Sequence, residues 1–512
     1  MIAPDITPLF RRFAKWRLQK LFALHAAAVQ EATLYRLLDK AKDTRFGKDH
    51  HFAAIKTVAD YQKAVPLRRY EDFWREYWQD PFPILDNVTW PGRVPFFALT
   101  SGTSTGATKY IPCTWPMIRA NRKAALDVFV WHTHNVPQFR PFAGKTFILG
   151  GSTDLTRLAA GVYSGDLSGI AAKTMPFWAK PYAFPNTKLA LLANWEEKLE
   201  RLAKASLNEP IRVLSDTPSW LVLLFENVMA LRQAMDDPRP PFPELELLIH
   251  GGVSFAPYRE RFSRYLKPTA AKTREVYPAS EGFIGIADKG PDEGLRLMLD
   301  HGMFYEFVPL DELNAQNPRR FWLQTIEPGV DYAIVLSNHA GLWADIIGDT
   351  VRFIERQPPR FYITGRTSYM LSAFGEHLLG EEIEAAVLDT AQNLHVQVHE
   401  FCVGVQYPQQ KAQGSHLYLI ECEPYPKDEA LRQKWAAQLA GDIDRYLQQH
   451  NDDYRAHRLG QQLDMPGVIL LKPGAFVAWM RWRGALGGQN KVPRVVQDEA
   501  LFQSLHSFLL KP

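Results

Sequence analysis

Between Thr100 and Pro112 the chain reads TSGTSTGATKYIP, a run of small and hydroxyl-bearing residues with one lysine, set directly behind the apolar segment Val94 to Leu99. Glycines at 102 and 106 let a backbone bend tightly and approach a ligand, and Ser101, Thr103, Ser104, Thr105 and Lys109 offer hydroxyls and a cation to phosphate oxygens. The stretch is read as a phosphate-cradling loop that follows a strand. The same composition also suits an ordinary surface turn, so the loop needs support from the rest of the chain. Its spacing is not GxxxxGK[ST], which sets the P-loop NTPases aside.

A chain of 512 residues is too long for one ordinary core and implies two or three structural units. Its net charge of +3 gives no argument for nucleic acid or an anionic membrane, so small-molecule partners are expected. Cys113, Cys402 and Cys422 lie far apart with no CxxC or His-Cys spacing, which indicates neither a disulfide framework nor a zinc site. No apolar run reaches the length of a membrane span and no leader peptide is recognisable, so the expectation is a cytoplasmic protein, without membrane or nucleic-acid partners, working as a monomer. An aromatic content of 12% is compatible with a ring-lined apolar pocket.

Taken in order, residues 8 to 42 alternate basic and apolar positions at helical spacing, and their Ala-rich second half favours packing on the protein over a membrane. A helix is expected from about Pro116 to Trp131. His132 and His134 lack a third metal-ligand candidate and are read as helix-end or surface residues. Strands are expected at Thr146 to Gly150, Ile211 to Leu214 and Leu245 to Ile249, with helices between them. That alternation implies an α/β core with ligands at the strand ends. Residues 306 to 354 read as antiparallel β with period-2 alternation. The character changes at Thr364-Gly365-Arg366, where the domain boundary is placed: residues 1–366 form a large unit, and 367–512 a smaller α+β lid with β at 396 to 405 and 415 to 422, helix at 427 to 449 and a glycine-bearing tail.

Three further segments carry chemistry-bearing residues. In Tyr277-Pro278-Ala279-Ser280-Glu281-Gly282 an aromatic ring could stack on a base, and Glu281 is a hard oxygen ligand suited to Mg²⁺. In Gly341 to Asp349 a strand delivers the Asp349 carboxylate just past a glycine, where it could accept hydrogen bonds from a diol. In the tail, Arg483 to Arg494, Lys491 stands on a glycine loop that could bring a point charge to a reaction centre and withdraw it. Each segment singly also reads as a plain turn or an exposed lysine.

Together, in this order, the four segments resemble the ANL adenylate-forming superfamily, and most closely the Gretchen Hagen family of plant acyl-acid amido synthetases and their bacterial relatives. The carriers are SGTS-x-G with Lys-x-Ile-Pro, a Pro-Ser-Trp at residues 218–220, Tyr-x-x-Ser-Glu-Gly, Gly348-Asp349, the hinge Gly365-Arg366 with Phe374 to Leu378, and Gly-x-Gln-x-Lys-x-Pro-Arg. The resemblance implies a large N-terminal domain of sheets and helices with a mobile C-terminal α+β lid, and ATP and Mg²⁺ as cofactors. It implies nucleotide binding by Ser101, Gly102, Thr103, Ser104, Gly106, Tyr277, Ser280, Glu281, Gly282, Asp349 and Arg366. Magnesium falls to Glu281, and the catalytic roles fall to Lys491 and Lys109. The chain departs from the family where relatives usually place Arg and Tyr and it has Ala344 and Asp345, and Ser372 stands where many superfamily members carry lysine.

The implied activity is adenylation of an aromatic or apolar carboxylic acid, followed by transfer of the acyl group to an amino acid. No base for the amine can be named; His250 and His377 are candidates that read more readily as structural. Two alternatives stay open: a thiol-accepting acyl-CoA ligase using the same first half-reaction, and a nucleotide-binding regulatory protein without catalysis, for which Ala344 and Asp345 are the hint.

Overall fold

The structure, a computed structural model, describes residues 4–509 apart from 102–107, 151–154, 187–188, 190–191, 193–194, 368–370, 372–377, 407–413, 460–462, 485–490 and 497. The basic amphipathic entry forms two helices, Thr7–Phe22 and Ala26–Ala41, both packed on the protein. Polar side chains fix them there as well as apolar ones. Buried Gln30 donates to the carbonyls of Leu299 and Met303 and accepts from the Tyr305 amide, which pairs three backbone groups that burial would otherwise leave unsatisfied.

Among the described residues the body is built on a 12-stranded mixed sheet and a 4-stranded one. Half of the large sheet is parallel, with Lys272–Ala279, Leu247–Gly251, Ile211–Asp216, Lys145–Ile148 and Ala183–Phe184 side by side. The strand-helix alternation read from the sequence produces this half: Pro218 starts the helix Pro218–Ala234, and Thr114 caps the helix Trp115–Asn135 by accepting from the Met117 amide at 3.4 Å. The other half, from Gly282–Ile286 to Phe321–Trp322, is antiparallel.

Two expectations are corrected. Met303–Pro309 and Asp331–Asn338 do not alternate inside and outside but are buried almost throughout, because Ala26–Ala41 covers one face and residues of the small sheet, Phe96, Phe97 and Ile111, join the same core. A strand covered on both sides has no solvent face to mark with polar residues. His132 is also not a surface residue: it is fully buried in its helix and accepts from Arg274 Nε at 2.9 Å through Nδ1.

The C-terminal region has its own sheet, in the order Gly467–Leu471, Ser415–Glu423, Gln397–Gln406, Val495–Val496, and its own core around Phe401, Tyr418, Ile443 and Leu447. The expected strands and helix are present, the helix as Glu429–His450 with Asp428 accepting from the Leu431 amide at 2.8 Å. The tail holds more than glycine turns: Ala475–Trp482 and Glu499–Leu509 are helices packed on the outer side of this sheet.

Candidate active site

Parallel strands end together, and two of these ends open into one cleft of about 1680 Å³. Leu247–Gly251 delivers the turn at Gly252, and Lys272–Ala279 delivers Tyr277 and the Ser280-Glu281 turn, while Ile211–Asp216 beside them ends at Asp216, an electrostatic neighbour of the cleft residue Lys491. The antiparallel half contributes Asp349 and Arg366, and the small sheet contributes Thr100 and Lys109.

Asp349 stands at a bulge. Pairing of Asp331–Asn338 with Asp345–Arg356 slips by two residues opposite positions 347–349, where Gly348 takes a left-handed φ of 90°. The bulge turns the carboxylate into the cleft, where Oδ1 accepts from Arg366 Nε at 2.7 Å and Oδ2 accepts from the Tyr277 hydroxyl. Burial, and then the charge of Asp349, push the Tyr277 phenol well above its ordinary value, so it stays a proton donor. Tyr277 is thereby a nearly buried part of the floor, its ring edge-on to Phe361 at 6.3 Å, and not a free platform.

Glu281 heads the hairpin between Lys272–Ala279 and Gly282–Ile286, and its carbonyl accepts from Asn338 Nδ2 at 2.7 Å. Burial, and secondarily the Asp349 charge, raise its carboxyl to about 7. Lys109, the cation of the loop, is ion-paired with Glu71 at 2.7 Å. An electrostatic neighbour of Glu281 is Asp345, only 3% exposed, whose Oδ1 has no hydrogen-bond partner among the described residues. Burial first, and the negative Glu281 second, push the Asp345 carboxyl well above the usual range. Glu281 and Asp345 are electrostatic neighbours, with Lys109 acting on both, and two such buried carboxyl groups have the oxygen chemistry that a divalent ion prefers.

The raised Asp345 pKa has a testable sign. The folded chain holds this proton while the unfolded chain releases it near pH 4, so wild-type stability declines as pH rises from about 4 toward neutrality. Asp345→Asn cannot ionise. Melting curves are expected to show the variant gaining on the wild type from pH 4 to 7, and parallel curves would refute the assignment.

Lys491 reaches the cleft from the C-terminal region. Its Nζ donates to the Gly252 carbonyl at 2.5 Å, and Arg366, Asp349 and Asp216 are its electrostatic neighbours. The residue as a whole is open to the cleft, yet its ammonium lies deep enough that desolvation, with the Arg366 charge added, lowers it to about 8. Gly252 takes a left-handed φ of 82° that favours glycine, and a Cβ there, 2.7 Å from the ammonium nitrogen, would push the Lys491 side chain off this seat. Asp216 accepts from the amides of Gly150 at 2.7 Å and Thr217 at 2.5 Å, and burial raises its carboxyl.

Of the residues expected from sequence, Lys109, Tyr277, Ser280, Glu281, Asp349, Arg366 and Lys491 border this one cleft. Gly282 opens the following strand beside it, where a Cβ would meet Met303 Sδ at 2.3 Å. Gly102, Thr103, Ser104 and Gly106 lie outside the described residues, as do Ser372 and His377, and of Ser101 only the backbone is described, closing the strand Phe96–Ser101. His250 is structural in character: its ring stacks on Phe255 at 3.8 Å, and burial lowers it to about 3. Sequence reasoning passed over Asp216, two residues before the Pro-Ser-Trp motif, and Glu71. It also passed over Glu275, two residues before Tyr277 on the same strand, whose carboxyl borders the cleft and is raised by burial to about 7.

Comparison with known proteins identifies the family. The chain matches the GH3 family N-terminal domain over residues 17–153 and 140–270, the GH3 family central domain over 296–366 and the GH3 family C-terminal domain over 381–500. It is 26% identical to an indole-3-acetic acid-amido synthetase, GH3.3, of Arabidopsis thaliana, over 51% of this chain and 45% of that one, less than half the relative's length. It is 22% identical to a jasmonoyl-L-amino acid synthetase, JAR4, of Nicotiana attenuata, over 72% and 74%. Among solved structures it shares its fold with the GH3.15 acyl acid amido synthetase, at a TM-score of 0.77, 16% identity and coverage of 100% and 98%. It also shares it with 2-hydroxyisobutyryl-CoA ligase in the postadenylation state, at 0.60, 15%, and 94% and 92%. The fold is thus the adenylate-forming one that the four motifs implied, and the chain belongs to the GH3 family.

Proposed function

We propose that the chain is an ATP-dependent acyl-acid amido synthetase, which adenylates an aromatic or apolar carboxylic acid and passes the acyl group to the amine of an amino acid. The observation that carries this reading is that Lys491, from the C-terminal region, shares one cleft with Lys109, Glu281, Asp349 and Arg366, its ammonium held by the Gly252 carbonyl. Relatives named as indole-3-acetic acid and jasmonoyl-amino acid synthetases support the choice of acid and acceptor. On this reading residues 1–366 form the adenylation domain and 367–512 the lid. Three buried free thiols suit the reducing cytoplasm, where it is proposed to act as a monomer.

In the first half-reaction an oxygen of the acid attacks the α-phosphorus of ATP, and the bond to pyrophosphate breaks with its electron pair leaving on pyrophosphate. Asp349 would hold the ribose diol on the lone pairs left free by Arg366 and Tyr277, and Lys109 would turn from Glu71 toward the phosphates. Lys491 would place its ammonium against charge developing on the transferring group, where a fixed donor lowers the barrier without reorganisation. Glu281, with Asp345 adjoining, fits Mg²⁺, which when bound would offset charge on the departing pyrophosphate. In the second half-reaction the amine attacks the acyl carbon, AMP leaves, and the amine gives up a proton.

The test is acid-dependent pyrophosphate exchange across indole acids, benzoates and jasmonate-like acids, followed by each amino acid and by coenzyme A, with products weighed by mass spectrometry. Acyl amides are expected. Thioesters instead would favour the thiol-accepting alternative, which the shared fold with a CoA ligase keeps in view. ATP binding without exchange for any acid would favour a catalytically silent protein.

A further inference from the structure

Lys491 is seated from both ends of one body segment. At its start, Gly252 accepts the Lys491 ammonium. At its end, the 3₁₀ turn Ala256–Tyr258 and the helix Arg259–Leu266 press against the strand Gln397–Gln406 of the C-terminal sheet. Three side chains at successive turns of that segment make the contact. The Tyr258 hydroxyl donates to Glu400 Oε2 at 3.0 Å, Arg261 Nη2 donates to the His399 ring at 2.9 Å, and Arg264 Nη2 donates to Gln397 Oε1 at 3.3 Å.

The segment is rigid where it needs to be. Phe255 stacks on both His250 and Phe262, and Phe262 meets Phe225 edge-on, inside a core shared with Leu221 and Leu248. Its outer end is equally fixed, since Tyr258 is only 6% exposed.

On the far side of this contact Glu400 holds Arg494, three residues after Lys491. The Arg494 guanidinium is ion-paired with Glu400, donates to the Phe401 carbonyl at 3.2 Å and lies 4.4 Å over the Phe401 ring, while its own carbonyl accepts from the Val403 amide at 2.8 Å. Arg494 is therefore the foot of the Lys491 loop, planted on a carboxylate that the body also grips, with Glu384 a second, longer ion pair at 3.9 Å. The chain of contacts Tyr258, Glu400, Arg494, Lys491 returns to the body at Gly252, and closes a ring through both structural units.

We infer that Tyr258 and Glu400 are positioning residues for the first half-reaction: they register the lid on the body so that the Lys491 ammonium arrives beside Asp216 and Asp349. The inference rests on the reading of Lys491 as the adenylating lysine. Both border the cleft, but among the described residues no hydrogen bond or ion pair joins either to Lys109, Glu281, Asp349 or Arg366, so the role assigned to them runs through the placement of Lys491. Discharge of a preformed acyl-adenylate does not use that lysine, and it does not need the ring closed.

Tyr258→Phe removes one oxygen from a packed ring and leaves the core intact. With the acid of highest turnover, kcat for pyrophosphate exchange is expected to fall roughly tenfold while KM for ATP stays within about twofold. Amide formation from chemically prepared acyl-adenylate and amino acid is expected to remain within about twofold of wild type. Glu400→Gln keeps an acceptor for Tyr258 but drops the charge under Arg494, and is expected to show the same split. Equal losses in both half-reactions would mean a general structural role, and unchanged exchange would remove the role altogether; either overturns the inference.

A second readout is independent of chemistry. Spin labels at Lys267→Cys on the body and Lys434→Cys on the lid, with the three native thiols buried, report the lid position as a distance distribution. The wild-type background is expected to give one narrow distance, and the Tyr258→Phe background a broadened or second population. If the wild type shows no acid-dependent exchange, the proposed function fails while this measurement still decides whether the contact registers the lid; identical distributions would count against it.

Discussion

Lys491→Ala is expected to lower acid-dependent pyrophosphate exchange by about 10² to 10³, with the fold and nucleotide affinity preserved. The magnitude is that of losing one preorganised donor to developing charge, on the order of 3 kcal/mol. The fold should survive because the lysine contributes one hydrogen bond, to the Gly252 carbonyl, and leaves no buried charge behind: Asp216 keeps its two amide donors, and Asp349 keeps Arg366 and Tyr277. The pH profile separates this role from general damage. An ammonium lowered to about 8 is charged below that pH and neutral above it, so kcat/KM for ATP in the wild type should decline as pH rises through about 8. Glu281, raised to about 7, must lose its proton to act as a ligand, so the same profile should rise through about 7. The result is a narrow bell. Lys491→Arg retains a cation that does not titrate in this range and should abolish the alkaline fall while lowering the maximum. Near-wild-type exchange by Lys491→Ala, or an alkaline limb unmoved by arginine, would exclude the assignment.

What the sequence made legible was what is local. Gly348-Asp349, Ser280-Glu281 and the apolar runs Ile211 to Leu214 and Leu245 to Ile249 each lie within a few residues, so the residue types that a strand end or tight turn demands stand next to one another. Their convergence followed only from order along the chain and from likeness to a family. Features made by tertiary contact left no such trace. Tyr258 and Glu400 are 142 residues apart, and nothing in either segment announces the other. His132 does stand in the last turn of its helix, but its burial went unread because a histidine near a helix end carries no mark of the arginine, 142 positions away, from which it accepts. The expected alternation is present over residues 351–354 but failed over Met303–Pro309 and Asp331–Asn338 for a related reason: whether a strand has a wet face depends on what covers it, which its own pattern does not record. Ala344 is the opposite case. The departure was visible, and the structure places that alanine fully buried at a left-handed φ of 49°, its amide donating to Ser337 Oγ at 2.9 Å, where a bulky side chain has no open space of its own.

The largest expected loss of stability belongs to a residue with no part in the chemistry. Arg17→Ala should cost on the order of 3–5 kcal/mol, read as a fall in the urea midpoint of the body. Arg17, 4% exposed, forks onto Asp127 at 2.8 and 2.7 Å and onto Asp300 at 2.7 and 2.8 Å, tying the entry helix Thr7–Phe22 to the helix Trp115–Asn135 and to the turn before Met303–Pro309. Lys123 also meets Asp300 at 2.7 Å, and His301 meets Asp127 at 3.0 Å. Asp127, Asp300 and His301 have the atom types and closeness of a metal site, but two carboxylates are already balanced by two cations, so the cluster is an ion network complete in itself. Burial alone would raise the Asp127 carboxyl; the hydrogen bonds from Arg17 and then His301 outweigh it and hold the group below the usual range. Burial keeps His301 low and therefore neutral. Removing Arg17 strips Asp127 of its guanidinium and leaves His301 as its nearest neighbour able to take up a positive charge. The deficit of Arg17→Ala should accordingly be smaller at pH 5.5, where His301 can take a proton to pair with Asp127, than at pH 8, where it cannot. Arg17→Lys keeps one charge but not the planar fork and should recover only part of the loss. A deficit independent of pH would mean that apolar packing of the entry helix, and not the buried ion network, carries the stability.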